Sequence, residues 1–214
     1  NYLAQSLAIE QILALIEEKN ADGIDINFEN IPKRQRANFS QFVQNVRVAF
    51  SKDHPEYTIS VTLPAFDYNQ AFDIANLEPY VDLFVLMGYD YNGPFSNSIG
   101  PISPLKDKIG GLEKAVDYYL ANGMIPQKLL MGLPYVRGLW ERRRETDKTQ
   151  EFYFKRHLTY SQIRSNYKDI TPIYDTLSAS MYFVTDIASG KEEVWFDNEE
   201  SLSFKYDWAI EKGL

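Results

Sequence analysis

The stretch "VDLFVLMGYDY", Val81 to Tyr91, constrains the fold more than any other part of the chain. Its apolar run shows no polar alternation, which predicts a strand covered on both faces, as parallel sheets are. Parallel strands need helical crossovers, and the flanking sequence supplies them in turn. Leu3, Leu7, Ile9, Ile12, Leu13 and Ile16 recur at helical spacing up to about Asn20, and "GIDINFE" follows as a strand. Pro32 suits a helix start, with Phe39, Phe42, Val43 and Val46 as the apolar stripe of a helix running to about Lys52. "YTISVTLP" is the next strand, and a short helix around Ala71 to Leu77 leads into the Val81 run. "GGLEKAVDYYLANG" is a helix with Gly123 past its end, and "KLLMGLPY" is a fourth strand. Ser201 is expected to cap a last amphipathic helix, "SLSFKYDWAIEKG". Repeated strand-helix units predict an α/β fold with right-handed crossovers and a parallel sheet.

Some sixty residues, Val136 to Asn198, break this rhythm. A plain connecting loop is far shorter, so the segment is expected to hold structure of its own. Thr159 can cap a short helix, "YSQIRSNY", and "SMYFVTD" with "EEVWFDN" flank "IASGK" as a β-hairpin would. The run "ERRRETDK" reads as a solvated loop, because its charges alternate in sign.

At 214 residues and 44% hydrophobic content, the chain is long enough to bury a core as one domain. Its 22 basic and 30 acidic residues give a net charge of −8, which repels phosphate backbones and predicts no nucleic-acid partner. A neutral or cationic substrate fits better. There are no cysteines, hence no disulfides or thiolate metal sites. No apolar run approaches the roughly 20 residues of a membrane span. Residue 1 already lies inside a helical pattern, so the chain is expected to be part of a longer one.

The chemistry concentrates at two strand ends. In a strand successive side chains alternate, so Asp25, Asn27 and Glu29 are predicted to share one face and Ile24, Ile26 and Phe28 the other. A buried carboxylate without a partner is costly, so a polar row on a covered strand points to a site. The plainer alternative makes Asp25 and Asn27 network residues at a strand end and Glu29 a solvent-exposed carboxylate. Tyr89, Asp90 and Tyr91 also lie at the C-terminal end of a predicted parallel strand, where α/β folds place their sites. The plain reading of Tyr89 is a core tyrosine, and of Asp90 a turn residue before "NGP".

These residues resemble a known family. "DGIDINFE" resembles the D-x-x-D-x-D-x-E signature of glycoside hydrolase family 18, the chitinases and chitinase-like proteins. The match falls on Asp22, Asp25 and Glu29, with Asn27 where the third Asp belongs. "MGYD" at Met87 to Asp90 resembles the family's M-x-Y-D, and "GLPY" at Gly132 to Tyr135 its G-x-P-W/F-Y-G. "EVWFDNEESLSFK" resembles the family's run of Trp, Asp, Ser and Lys entering the last helix. Within the family, "INFENIP" and the "GPISPL" loop look closer to bacterial cell-wall or chitobiose-processing branches.

The resemblance implies a (β/α)8 TIM barrel, of which this chain covers about the fourth to seventh βα units. Residues 1–214 would be one catalytic-type barrel segment, with 136–198 as a small α+β insertion between strand seven and the last helix. It also implies a monomer, secreted or in the cell envelope, that acts on N-acetylglucosamine glycans without cofactor or metal. In that chemistry the substrate's own 2-acetamido oxygen attacks the anomeric carbon, so one carboxylic acid serves instead of a pair. Glu29 would be that acid and base, and close negative neighbours such as Asp25 favour its protonated form. Asn27 would orient the acetamido N–H, and Tyr89 would bond the acetamido oxygen. Asp22, Met87, Asp90, Tyr91 and Tyr135 fall on the substrate-binding motifs.

Asn27 is the departure from the pattern. A neutral acceptor gives up the charge-assisted part of the bond, so a slowed hydrolase is expected. A non-catalytic carbohydrate-binding protein is the alternative, with Tyr68, Tyr91, Tyr135 and Trp140 stacking on sugar faces. A metal enzyme built on Asp25 and Glu29 lacks histidines at strand ends, His54 and His157 being the two present. A Ser-His-Asp hydrolase lacks a G-x-S-x-G elbow.

Overall fold

A computed structural model describes residues 2–108, 110–143 and 152–214. The chain divides into two compact units. The first runs to Met87 and includes Asp117–Met131, and the second holds Gly88–Val116 and Gly132–Gly213.

The first unit opens with α1 (Tyr2–Lys19), followed by β1 (Gly23–Ile26). A 3-10 turn at Lys33–Gln35, entered from Pro32, leads into α2 (Arg36–Asp53). Pro32 thus starts the turn and not the α-helix itself. β2 (Thr58–Leu63), the one-turn α3 (Ile74–Leu77) and β3 (Leu83–Met87) come next. After α4 (Leu112–Ala121) the chain returns as β4 (Leu129–Gly132). Gly123, past the end of α4, holds φ +96, a conformation that favours glycine. The four strands lie in the order β1-β2-β3-β4, and the β1–β2 and β2–β3 pairs are parallel.

Alternation decides which face of this sheet is covered. Ile26, Ile59, Val61, Leu63, Phe84 and Leu86 are buried together with Phe39, Phe42, Val43, Val46 and Phe50 of α2. The alternate positions are more open, although Thr62 among them is buried: Asp25 is exposed, Ser60, Val85 and Met87 are half-buried, and Leu83 is 38% exposed. The Val81 run therefore has one fully covered face in this unit, where its unbroken apolarity predicted two. The difference follows from a helical layer on one side of these strands. The stripe of α1 is likewise only partly used, since Ile16 is buried while Leu3 and Leu7 stay exposed. No described helix is long and apolar enough to cross a membrane.

The second unit is built on an antiparallel sheet. β5 (Arg137–Arg143), β6 (Phe152–Leu158), β7 (Ile173–Asp175), β8 (Ser180–Ile187) and β9 (Gly190–Phe196) lie in the order β6-β5-β9-β8-β7. The hairpin expected around "IASGK" is β8–β9, paired from Met181–Phe196 to Ile187–Gly190. Thr159 caps α5 (Tyr160–Asn166) in a reciprocal arrangement with Gln162. Leu139, Leu158, Ile163, Met181, Phe183, Val194 and Phe196 form the core beneath. Part of the expected charged loop is strand: Glu141 lies in β5 and is 5% exposed, while 144–148 of that run fall outside the described residues. The last helix, α6 (Glu199–Glu211), is capped by Asn198 and not by Ser201. Ser201 is the third helical residue, and the two exchange backbone-to-side-chain bonds of 3.0 and 3.1 Å.

Candidate active site

In the first unit the candidate site forms where β1 ends. The strand stops at Ile26, and Asn27, Phe28 and Glu29 continue beyond it to Asn30, whose φ is +55. Asp25 is held firmly. Its carboxylate accepts hydrogen bonds from Ser60 Oγ at 2.6 Å and Thr62 Oγ1 at 2.8 Å on the neighbouring strand. Parallel register explains both contacts, because Asp25 is aligned with Ser60, and Thr62 lies two residues on, hence on the same face.

Asn27 and Glu29 line a recess of about 650 Å3 with residues of α1 and α2, Asp25 taking no part in its wall. Phe28 is 51% exposed and packs its ring on Phe42 at 5.8 Å and Phe39 at 6.0 Å. Asp25, Asn27 and Glu29 are all exposed, where a buried polar row was expected. Position explains this, since β1 is an edge strand and its polar side has no helical cover in this unit. Asp22 lies at the opposite end of β1 and contributes its backbone carbonyl to Thr58 N–H at 2.9 Å. Met87 ends β3, half-buried, on the face that Thr62 occupies on β2. Asp67, which sequence reasoning passed over, accepts the Ala71 and Phe72 amides at 2.9 and 3.1 Å and so folds the loop after β2.

Tyr89, Asp90, Tyr91 and Tyr135 belong to the second unit. Gly88 donates its N–H to the Gly132 carbonyl at 3.0 Å, prolonging the β3–β4 pairing by one residue. A side chain there would put its Cβ 2.5 Å from Leu112 Cδ2 and 2.6 Å from that carbonyl oxygen, so only glycine fits. Tyr89 is half-buried, and Asp90 adopts φ +59. Tyr91 is 2% exposed, and burial pushes its hydroxyl pKa up. Its N–H returns to Ile102 O at 3.0 Å. Of the four aromatics considered for sugar stacking, Tyr68 and Tyr135 are exposed at 85% and 80%. Tyr91 and the fully buried Trp140 are core residues, and Trp140 packs edge-on against Phe154 and Phe152. Among the described residues no three His, Cys, Asp or Glu side chains gather as a metal site would require.

The chain is similar to known proteins. Probable chitinase 2 of Drosophila melanogaster is 28% identical over 143 residues, covering 63% of this chain and 30% of that protein. The cortical fragment-lytic enzyme of Bacillus anthracis is 27% identical over 222 residues, covering 98% of this chain and 48% of that one. The chain therefore spans less than half the length of either relative. The crystal structure of the GH18 chitinase from Cycas revoluta in complex with (GlcNAc)3 matches all of this chain and 67% of that one, with a TM-score of 0.86 and 21% identity. At that identity the likeness establishes the fold, a mixed α/β arrangement with a parallel sheet. The sequence itself matches the family described as glycosyl hydrolases family 18 over residues 4–214, and with the two strand-end motifs in place the chain belongs to that family.

Proposed function

We propose that the protein hydrolyses β-1,4-linked N-acetylglucosamine glycans, in chitin, chito-oligosaccharide or peptidoglycan, with retention and by substrate-assisted catalysis. Four strands and their helices would be the fourth to seventh βα units of a (β/α)8 barrel within residues 1–214, and 136–198 its inserted subdomain. The observation that carries the reading is the retained Glu29 just past the end of β1, in a chain whose Asp25 is fixed by two hydroxyl donors.

Glu29 donates its proton to the leaving oxygen while the substrate's acetamido oxygen closes on the anomeric carbon, giving an oxazolinium ion. Glu29 then takes a proton from water as that water opens the ring, and two inversions leave the configuration retained. Asn27 accepts the acetamido N–H and Tyr89 donates to the acetamido oxygen, holding the nucleophile in line. An amide at position 27 stabilises the cationic intermediate less than a carboxylate does, so turnover is slow. Of the substrate-binding set, Met87, Asp90 and Tyr135 would meet the sugar, whereas Asp22, at the opposite end of β1, and the buried Tyr91 would act by shaping the strand and the loop.

A chitinase relative, a cortical fragment-lytic relative and a chitinase seen with (GlcNAc)3 support this substrate class. A secreted or cell-envelope monomer that binds no nucleic acid fits such a substrate. The test is release of fluorophore from a chitobioside: Glu29→Gln is expected to abolish turnover, and turnover that survives the substitution overturns the assignment. Asn27 also supports a second reading, a carbohydrate-binding protein without turnover in which exposed Tyr68 and Tyr135 contact sugar. It is favoured if wild type binds (GlcNAc)3 and releases no product.

A further inference from the structure

Lys205 is an anomaly in the second unit. Its side chain is fully buried, yet it ends in an ammonium group, which costs several kcal/mol to desolvate. All three of its donors are used: Asp197 Oδ1 at 2.6 Å, the Ser103 carbonyl at 2.6 Å and Ser180 Oγ at 3.2 Å. Asp197 is held in turn by Ser201 Oγ at 2.8 Å. A buried ion pair is a poor device for stability alone, since apolar residues of like volume commonly do as well. What the pair does secure is geometry, and Ser103 shows which geometry.

Ser103 is 1% exposed and bonded in two directions. Its carbonyl receives the Lys205 ammonium, and its hydroxyl donates to the carbonyl of Gly88. Three residues beyond Gly88, Tyr91 N–H bonds Ile102 O at 3.0 Å, and Asn92 Nδ2 bonds Pro101 O at 2.9 Å. The segment 88–92 is thus laced to 101–103 on both sides of Tyr89 and Asp90. Asp90 holds φ +59, a left-handed turn conformation that Asp adopts more readily than most residues with a side chain. Gly88 is tied beside it by its N–H on the Gly132 carbonyl at 3.0 Å, with no room for a side chain against Leu112.

We propose that Lys205 and Ser103 form a positioning relay that fixes Tyr89 for its contact with the substrate's acetamido group. Lys205 sets the height of the 101–103 segment, Ser103 passes that position to Gly88, and Gly88 passes it to the next residue. This rests on the reading of Tyr89 under the proposed function, and neither Lys205 nor Ser103 touches substrate.

Lys205→Met leaves the buried Asp197 without its paired ammonium and threatens folding, so the deciding variant is Ser103→Ala, which cuts the relay and keeps the ion pair. In the full chain it is expected to lower kcat on a chitobioside about tenfold with KM within about twofold, as a small misplacement of a positioning group does. Exchange of the Tyr91 amide should speed up about fivefold, the loss of one neutral hydrogen bond. A merely structural role would lower the melting temperature and leave kcat per folded molecule unchanged, and that result overturns the proposal, as does unchanged Tyr91 exchange. If wild type does not hydrolyse the chitobioside, the proposed function fails by itself. The relay is then judged by the same exchange measurement together with (GlcNAc)3 affinity, expected to be about fivefold weaker in Ser103→Ala and unchanged if the relay is absent.

Discussion

Asp25 and Ser60 face each other across the β1–β2 ladder, and the 2.6 Å hydrogen bond between them turns the Asp25 carboxylate along the sheet. Thr62 adds a second bond at 2.8 Å. Because the carboxylate is exposed, each bond contributes little to folding, about 1 kcal/mol at most, and its effect lies in orientation. Ser60→Ala combined with Thr62→Val is therefore expected to lower kcat on a chitobioside by an order of magnitude or so, while urea unfolding shifts by less than about 2 kcal/mol. A double variant with wild-type kcat would show that the orientation of Asp25 is irrelevant to turnover.

Asn27 is the second lever. Restoring a carboxylate there returns the charge-assisted part of the bond to the acetamido N–H and an anion beside the oxazolinium. Losing one positioned electrostatic group commonly costs on the order of 10² to 10³ in rate, and Asn27→Asp should recover part of that factor. Steady-state kinetics on the chitobioside decide it. A variant no faster than wild type separates position 27 from catalysis, and one that remains silent beside a silent wild type supports the binding protein.

How much of this was legible beforehand depended on the range of the interactions. Strands β1 to β4 and helix α2 showed in local periodicity, as did the β8–β9 hairpin. β5 did not, because "RGLWERR" reads as charge, and only the cross-strand partners of Glu141 make it a buried strand position. Asn198 and Ser201 both suit a helix cap, and the backbone decides between them. Glu29 and Tyr89 were visible as motif letters. Asp25's partners were not, since register is set by pairing, nor was Lys205's bond to Ser103, 102 residues away in sequence.

The antiparallel sheet carries a pH-dependent contribution to stability. Glu141 accepts bonds from Ser189 and Tyr153 and pairs with Lys155, and these hold its pKa down at about 2 against an ordinary 4.5. A carboxylate with a depressed folded-state pKa stabilises the protein above its unfolded value and loses that contribution as pH falls through the folded one. Stability against urea should therefore be flat above about pH 5 and decline between about 4.5 and 2. Ser189→Ala removes the largest of these contacts and should make the decline shallower. An unchanged slope would place the acid sensitivity elsewhere.

Asp197 and Lys205 offer a sharper energetic test. Lys205→Met leaves a carboxylate that is 7% exposed facing a methyl group, and breaking a buried pair in this way typically costs about 3 to 5 kcal/mol. Asp197→Leu leaves the ammonium equally stranded, at similar cost. The double variant strands neither charge, so its loss should be well below the sum of the two, a coupling of 2 kcal/mol or more in denaturant unfolding. It also deprives the Ser103 carbonyl of its ammonium partner, so a double variant that regains stability should still show faster Tyr91 exchange than wild type. Additive losses would mean that the 2.6 Å contact is not an energetically coupled pair. Regained stability with wild-type exchange would mean that the pair holds the sheet and α6 together without reaching Tyr89.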